Sequence, residues 1–178
     1  MSEPGDWDEV FAEAAGLAVE IAIDPAAKAL DAGIGDVIAA SILSANSHLS
    51  ANMLAGVARG TVSVRIDNDE GVQHLNKVWR GIDKPTNVLS FPAPDTQASP
   101  DNVIGDIAIS YETAAREADA ERKPLRDHIA HLAVHGFLHL VGYDHESDDD
   151  ADEMERLERT ILARVDVPDP YVAREAEG

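Results

Sequence analysis

Residues 124–142, PLRDHIAHLAVHGFLHLVG, constrain the fold more than any other stretch of the chain. Pro124 suits the first turn of a helix, where its missing N–H leaves nothing unpaired. Gly142 suits the stop after the last turn. The segment predicts one helix, and that helix carries histidines. His135 and His139 are four residues apart, so their rings leave one face on successive turns. Gly142 can take a positive φ and turn the chain sharply. His145 can then swing back to the same point. Three neutral imidazoles with one open position make a zinc site of the catalytic type. The competing reading is ordinary helix decoration, which an isolated pair four apart would favour. The glycine turn and the third histidine favour a metal.

His131 could compete as a ligand, but residues 131, 135 and 139 would have to converge from one straight helix. They advance about 12 Å along its axis, whereas metal–nitrogen bonds are about 2.0–2.1 Å. His131 is therefore expected in the core or behind a ligand. His128 is expected at the surface, and His48 and His74 as structural or exposed.

The ligand spacing matches the metzincin peptidase pattern H-E-x-x-H-x-x-G-x-x-H, with one departure. Gly136 stands where those enzymes carry the glutamate general base. The metal frame is kept and the protease base is missing. That points to hydrolysis of another bond type, or to a non-catalytic metal.

The rest of the chain supplies a small sheet and more helices. Trp7, Val10, Phe11, Ala14 and Leu17 recur at helical spacing, and AVEIAID (18–24) reads as a strand or as the same helix continued. DVIAASILSANSHLSANMLAGVA (36–58) predicts a helix broken near Ser47. TVSVRID (61–67), TNVLSFP (86–92) and NVIGDIAIS (102–110) predict strands, with a helix between the first two. Helices follow at 111–119, 124–142 and 150–165, and DPYVAREAEG reads as a loose tail. The fold class is α+β: a single domain over 1–178 with a small mixed sheet flanked by helices. Residues 1–15 and 173–178 are expected to be loosely ordered.

The 178 residues include no cysteine, so disulfides and thiolate sites are excluded and a cytoplasmic location is expected. No secretory signal pattern and no membrane-spanning run are present, so no membrane partner is expected. The formal net charge of −20 argues against a nucleic-acid partner. The charge is uneven, however. Residues 144–158 carry nine acids and one base, while residues 59–84 carry five bases and four acids.

HGFLHLVGYDH (135–145) resembles the signature H-G-x-L-H-L-x-G-Y-D-H of the YbeY endoribonuclease family. LNKVWRGIDKPTNVLSFP (75–92) is similar to that family's second hallmark, and GDIAIS (105–110) to the strand between them. The resemblance runs from about residue 60 to 172. It implies one Zn²⁺ per chain held by His135, His139 and His145. It implies single-strand-specific RNA cleavage in 16S rRNA 3′-end maturation and ribosome quality control. The partners it implies are rRNA, the small ribosomal subunit and ribosomal proteins, with no DNA. Arg80 matches the family arginine associated with activity.

A guanidinium beside a metal can stabilise the charge that builds on a phosphodiester in cleavage, which is the catalytic role expected of Arg80. The competing reading pairs Arg80 with Asp83 or Asp106 at the surface. Asp106 could orient a ligand histidine or Arg80, or serve a turn. Thr86, Asn87 and Ser90 could line an RNA groove or simply pack. Asp144 reads as an exposed acid, and the run 146–158 as a solvated face. Two other functions stand beside the nuclease: a zinc-bearing assembly factor that binds ribosomal proteins, and a metallopeptidase, which Gly136 argues against.

Overall fold

The computed structural model describes residues 6–52, 59–94 and 102–172. Asp8–Ala14 (β1) and Leu17–Ile23 (β2) pair antiparallel, and Ala14 opposite Leu17 closes the hairpin. The turn consists of Ala15 and Gly16, with φ of 51° and 82°, the double positive φ that two-residue hairpins favour. The helix expected from Trp7 onward is therefore a strand. Val10 and Ala12 face the core, while Glu9, Phe11 and Glu13 face outward. Phe11 is 63% exposed, and this outward aromatic made the spacing look helical. Residues 8–14, expected to be loosely held, pair along the whole of β2. Residues 1–5 and 173–178 lie outside the described residues.

Three more strands complete a mixed sheet: Gly60–Asp67 (β3), Val88–Pro92 (β4) and Val103–Ser110 (β5). The order is β1-β2-β3-β5-β4. The β2–β3 and β3–β5 pairs are parallel, and the two edge pairs are antiparallel. Parallel neighbours need a crossover, and between β2 and β3 it contains Pro25–Leu30 (α1) and Ile34–Ala51 (α2). Helix α2 runs unbroken through Ser47. Ile38, Ile42, Ala45 and Leu49 keep one apolar stripe in the core, which overrides the local cost of serine and asparagine. The remainder of the predicted 36–58 helix falls outside the described residues.

The other helices are Asp69–Arg80 (α3), Tyr111–Ala120 (α4), Leu125–Leu140 (α5) and Asp148–Ala163 (α6). Helix α2 packs over β1 and β2, α5 over β4 and β5, and α6 against α5. The core lies in that layer: Val19, Ile21, Val64, Ile66, Ile107 and Ile109 of the sheet meet Ile38, Ile42, Ile129 and Phe137 of the helices. The opposite sheet face carries a smaller cluster, Val72, Leu89 and Ala108. Beyond α3 that face forms the floor of a cleft of 1310 Å³, whose lining includes Phe11, Glu20, Trp79 and Asp106. Among the described residues, no helix is long and apolar enough to cross a membrane.

Candidate metal centre

The end of α5 is built by backbone hydrogen bonds. Gly142 has φ 104°; its N–H donates to His139 O at 3.2 Å, and the Tyr143 N–H donates to Leu138 O at 3.0 Å. This pair of bonds is the Schellman arrangement, and it turns the chain back on itself. The His145 ring comes to rest 5.6 Å from that of His135 and 5.1 Å from that of His139, centre to centre. One ring nitrogen from each of the three lies within 4.8 Å of the others. His135 and His139 are half-buried and His145 is exposed, so the group opens to solvent on the His145 side.

The partners of the rings fix their tautomers. His135 Nδ1 lies 2.7 Å from Glu158 Oε1, and His139 Nδ1 lies 2.9 Å from the carbonyl oxygen of Tyr143. A carboxylate and a carbonyl only accept, so both Nδ1 atoms carry the proton. Both Nε2 atoms of the neutral rings then present lone pairs, and these face each other at 3.0 Å. Two acceptors at that distance repel unless a proton or a metal ion lies between them. Nitrogens sharing one tetrahedral zinc stand about 3.3 Å apart, so this pair fits a metal. Burial, and then the neighbouring His135, hold the His139 imidazole below its ordinary pKa, which favours the neutral ligand form.

Behind His135 lies Glu158, only 1% exposed. Its Oε1 accepts from His135, and its Oε2 accepts from His131 Nε2 at 2.7 Å and from the Tyr171 hydroxyl. Burial would push this carboxyl up, but the hydrogen bonds from His131 and His135, the charge of His131 and the Tyr171 hydroxyl hold it at about 2. Burial and the Glu158 carboxylate push the Tyr171 phenol up.

Glu158 was expected on a solvated face, as the last member of the acidic run. The helical period could have found it. Met154, Leu157, Glu158, Ile161 and Leu162 recur at three- and four-residue steps, so Glu158 falls on the buried stripe of α6. Tyr171 was expected in a loose tail, yet it is docked on the same carboxylate. His131 lies behind His135, on the other oxygen of the same Glu158 carboxylate. His128 is not at the surface: it is 5% exposed, with Nε2 2.6 Å from Glu117. It sits one turn before His131 and faces α4 rather than solvent.

Arg80 ends α3 and is exposed; its Nη2 donates to Ser90 O on the edge strand β4 at 3.2 Å. Its guanidinium lies 5.7 Å from the centre of the Phe91 ring. Among the described residues it forms no salt bridge, because Asp83 pairs with Lys77 instead. Asp106 faces away from the histidines, since its neighbour Ile107 is the β5 residue that meets α5. It lines the cleft on the other sheet face, where partial burial raises its pKa. Asn87 accepts from Val88 N–H and donates to Glu117, a structural role. Ser90 Oγ donates to Gly136 O at 3.0 Å, tying β4 to the ligand helix. Asp144 is exposed and accepts from Glu146 N–H, as a turn residue does.

Comparison with known proteins gives one family. Residues 28–166 match the family model described as Endoribonuclease YbeY, a span that contains the motifs at 75–92 and 135–145 and begins well before the first of them. Endoribonuclease YbeY of Bradyrhizobium diazoefficiens is 58% identical over 123 residues, covering 66% of this chain and 67% of that protein. The protein of that name from Rhodopseudomonas palustris strain BisB18 is 57% identical over 136 residues, covering 74% and 81%. A solution structure of a Thermotoga maritima protein aligns with a TM-score of 0.50 at 19% identity, over 86% of this chain and 99% of that one. That likeness speaks for the fold alone.

Proposed function

The chain belongs to the YbeY family of endoribonucleases, and from that premise we propose that it is a zinc-dependent endoribonuclease. Its substrate is single-stranded RNA, and its place is 16S rRNA 3′-end maturation and ribosome quality control in the cytoplasm. The observation that carries this reading is the convergence of three imidazoles, with the Nε2 atoms of His135 and His139 3.0 Å apart and a nitrogen of His145 in reach. His135, His139 and His145 hold the ion, and an all-nitrogen set without thiolates suits Zn²⁺. Bound there, zinc supplies Lewis acidity toward a phosphodiester oxygen and activates a nucleophile at neutral pH.

The chain's own groups do the rest. The Glu158 carboxylate and the Tyr143 carbonyl hold two of the rings in register. The exposed side at His145 admits the substrate. Arg80 donates its guanidinium N–H groups to the phosphoryl oxygens as negative charge builds on them. Arg80 lines the cleft on the other sheet face and bonds Ser90 O on the edge strand, while Ser90 Oγ separately donates to the carbonyl of Gly136, next to His135. Product ends identify the nucleophile. A 2′,3′-cyclic phosphate assigns attack to the RNA 2′-hydroxyl, and a 5′-phosphate with a 3′-hydroxyl assigns it to water.

A second reading rests on the net charge of −20. An acidic molecule gains more from basic ribosomal proteins than from bare RNA, which favours a zinc-bearing assembly factor without turnover. The test incubates zinc-loaded protein, and its His135→Ala variant, with single-stranded RNA and with a peptide library. RNA cleavage that the variant loses is the expected result. Ribosome binding with no cleavage of either substrate favours the assembly factor, and peptide cleavage favours a peptidase.

A further inference from the structure

Glu158 is a buried carboxylate that no sequence motif of the metal site includes, and its two oxygens are divided between two tasks. Oε1 faces His135 Nδ1 at 2.7 Å. Oε2 is taken by His131 Nε2 at 2.7 Å and by the Tyr171 hydroxyl, which also lies 3.3 Å from that same nitrogen. A carboxylate gripped at Oε2 from two sides cannot rotate, so Oε1 is aimed at one ring alone.

The Tyr171 end of this arrangement is itself held. The Tyr171 N–H donates to Asp169 Oδ1 at 2.9 Å, and Arg159 Nε reaches Asp169 Oδ2 at 3.2 Å. The Arg159 guanidinium stacks 4.9 Å from the centre of the Tyr171 ring, and the His131 ring meets that ring edge-on at 5.3 Å. One residue of α6 thus clamps the chain after the helix, and another receives its hydroxyl.

We propose that Glu158, His131 and Tyr171 are positioning residues for the metal centre, with the turn at 169–171 locking the carboxylate that fixes the ring and tautomer of His135. The inference rests on the metal-site reading above. The physical argument has two parts. An Nδ1–H donated to a carboxylate leaves the lone pair on Nε2 and makes the ring a stronger donor to a cation. The grip of His131 and Tyr171 on Oε2 aims Oε1 at His135 Nδ1, so the orientation of that ring is set by contacts within the protein before any cation arrives.

The test measures Zn²⁺ affinity by competition with a chromophoric chelator, and reads ring tautomers by NMR of histidine-labelled, metal-free protein. Glu158→Met should weaken Zn²⁺ binding by about 10- to 100-fold, with Glu158→Gln recovering part of the loss because its amide oxygen still accepts. Tyr171→Phe removes one hydroxyl at a partly exposed site and should weaken binding several-fold, with the metal-free thermal midpoint unchanged. In the parent His135 should carry its proton on Nδ1, and in Glu158→Met that preference should be lost. Parent-like affinity and an unchanged His135 tautomer in both Glu158→Met and Tyr171→Phe would overturn the proposal. If Glu158→Met fails to fold, affinity in Tyr171→Phe decides it. A parent chain that binds no Zn²⁺ refutes the metal site instead, and the tautomer measurement still decides the positioning role.

Discussion

Ser90 Oγ stands 3.0 Å from the carbonyl oxygen of Gly136, and the same close approach leaves little room for a side chain at 136. A Cβ there would lie 3.0 Å from Ile107 Cγ2 and 3.1 Å from Ser90 Oγ. Position 136 therefore faces the sheet, while His135 faces α6. A glutamate placed at 136 would be pressed into β4 and β5 instead of reaching the metal side. Gly136→Glu should cost at least about 3 kcal/mol, the scale for an unpaired buried charge, as a lower urea midpoint. No peptidase activity should appear. A variant of parental stability that cleaves peptides would refute this account of the glycine.

The facing nitrogens of His135 and His139 make metal removal a stability experiment. A metal that binds only the folded state adds about 2.7 kcal/mol at a hundredfold excess over its Kd. For a chain of this length that corresponds to a rise of about 5–10 °C in Tm. Zinc should produce the shift, a chelator should reverse it, and His145→Ala should remove most of it. His139 is held below its ordinary pKa, so it stays neutral through pH 7. The shift should persist there and fade in acid, as protons compete with the metal for the ring nitrogens. No rise in Tm at neutral pH with the parent protein would count against the site.

The parts of the site that were legible in the sequence are those set by local spacing. His135, His139, Gly142 and His145 occupy eleven residues, and helix period plus one turn fixes where they go. The helical period places Glu158 on the buried stripe of α6, but which ring it meets, 23 positions away, and the docking of Tyr171 on it are set by packing between elements that no local period encodes. The run of acids also hid Glu158, because charge was read ahead of its place on the apolar stripe. Strands β3, β4 and β5 were legible by alternation. Strand β2 was legible as one of two readings of 18–24, but β1 was not, since Phe11 faces solvent on an edge strand and breaks the binary pattern.

Asp69 ties α3 to the start of α4. It accepts from Ser110 Oγ at 2.5 Å, Thr113 Oγ1 at 2.6 Å and Arg116 Nη2 at 2.8 Å. Burial opposes its ionisation, but these three donors together hold the carboxyl below its ordinary value. A depressed carboxyl stabilises the fold fully above its unfolded pKa, near 3.8, and loses that contribution as pH falls through the lower folded value. Asp69→Asn should therefore cost about 1–2 kcal/mol at pH 7 and flatten the acid limb of the stability curve below about pH 4. Denaturant titrations across that range check it, and parallel curves for parent and variant would contradict it.

Arg80 separates a nuclease from a metal-bearing scaffold. Its side chain is exposed and, among the described residues, makes one hydrogen bond, to a backbone carbonyl of an edge strand, so its loss should leave the fold and the histidine cluster intact. A donor aimed at charge that develops only in the transition state is worth about 10²–10³ in turnover. Arg80→Ala should lower RNA cleavage on that scale, with zinc content and Tm at parental values. Arg80→Lys keeps the charge but not the paired N–H geometry, and should recover only part of the rate. Full cleavage by the alanine variant with zinc bound would remove Arg80 from the chemistry and leave it as an edge-strand contact.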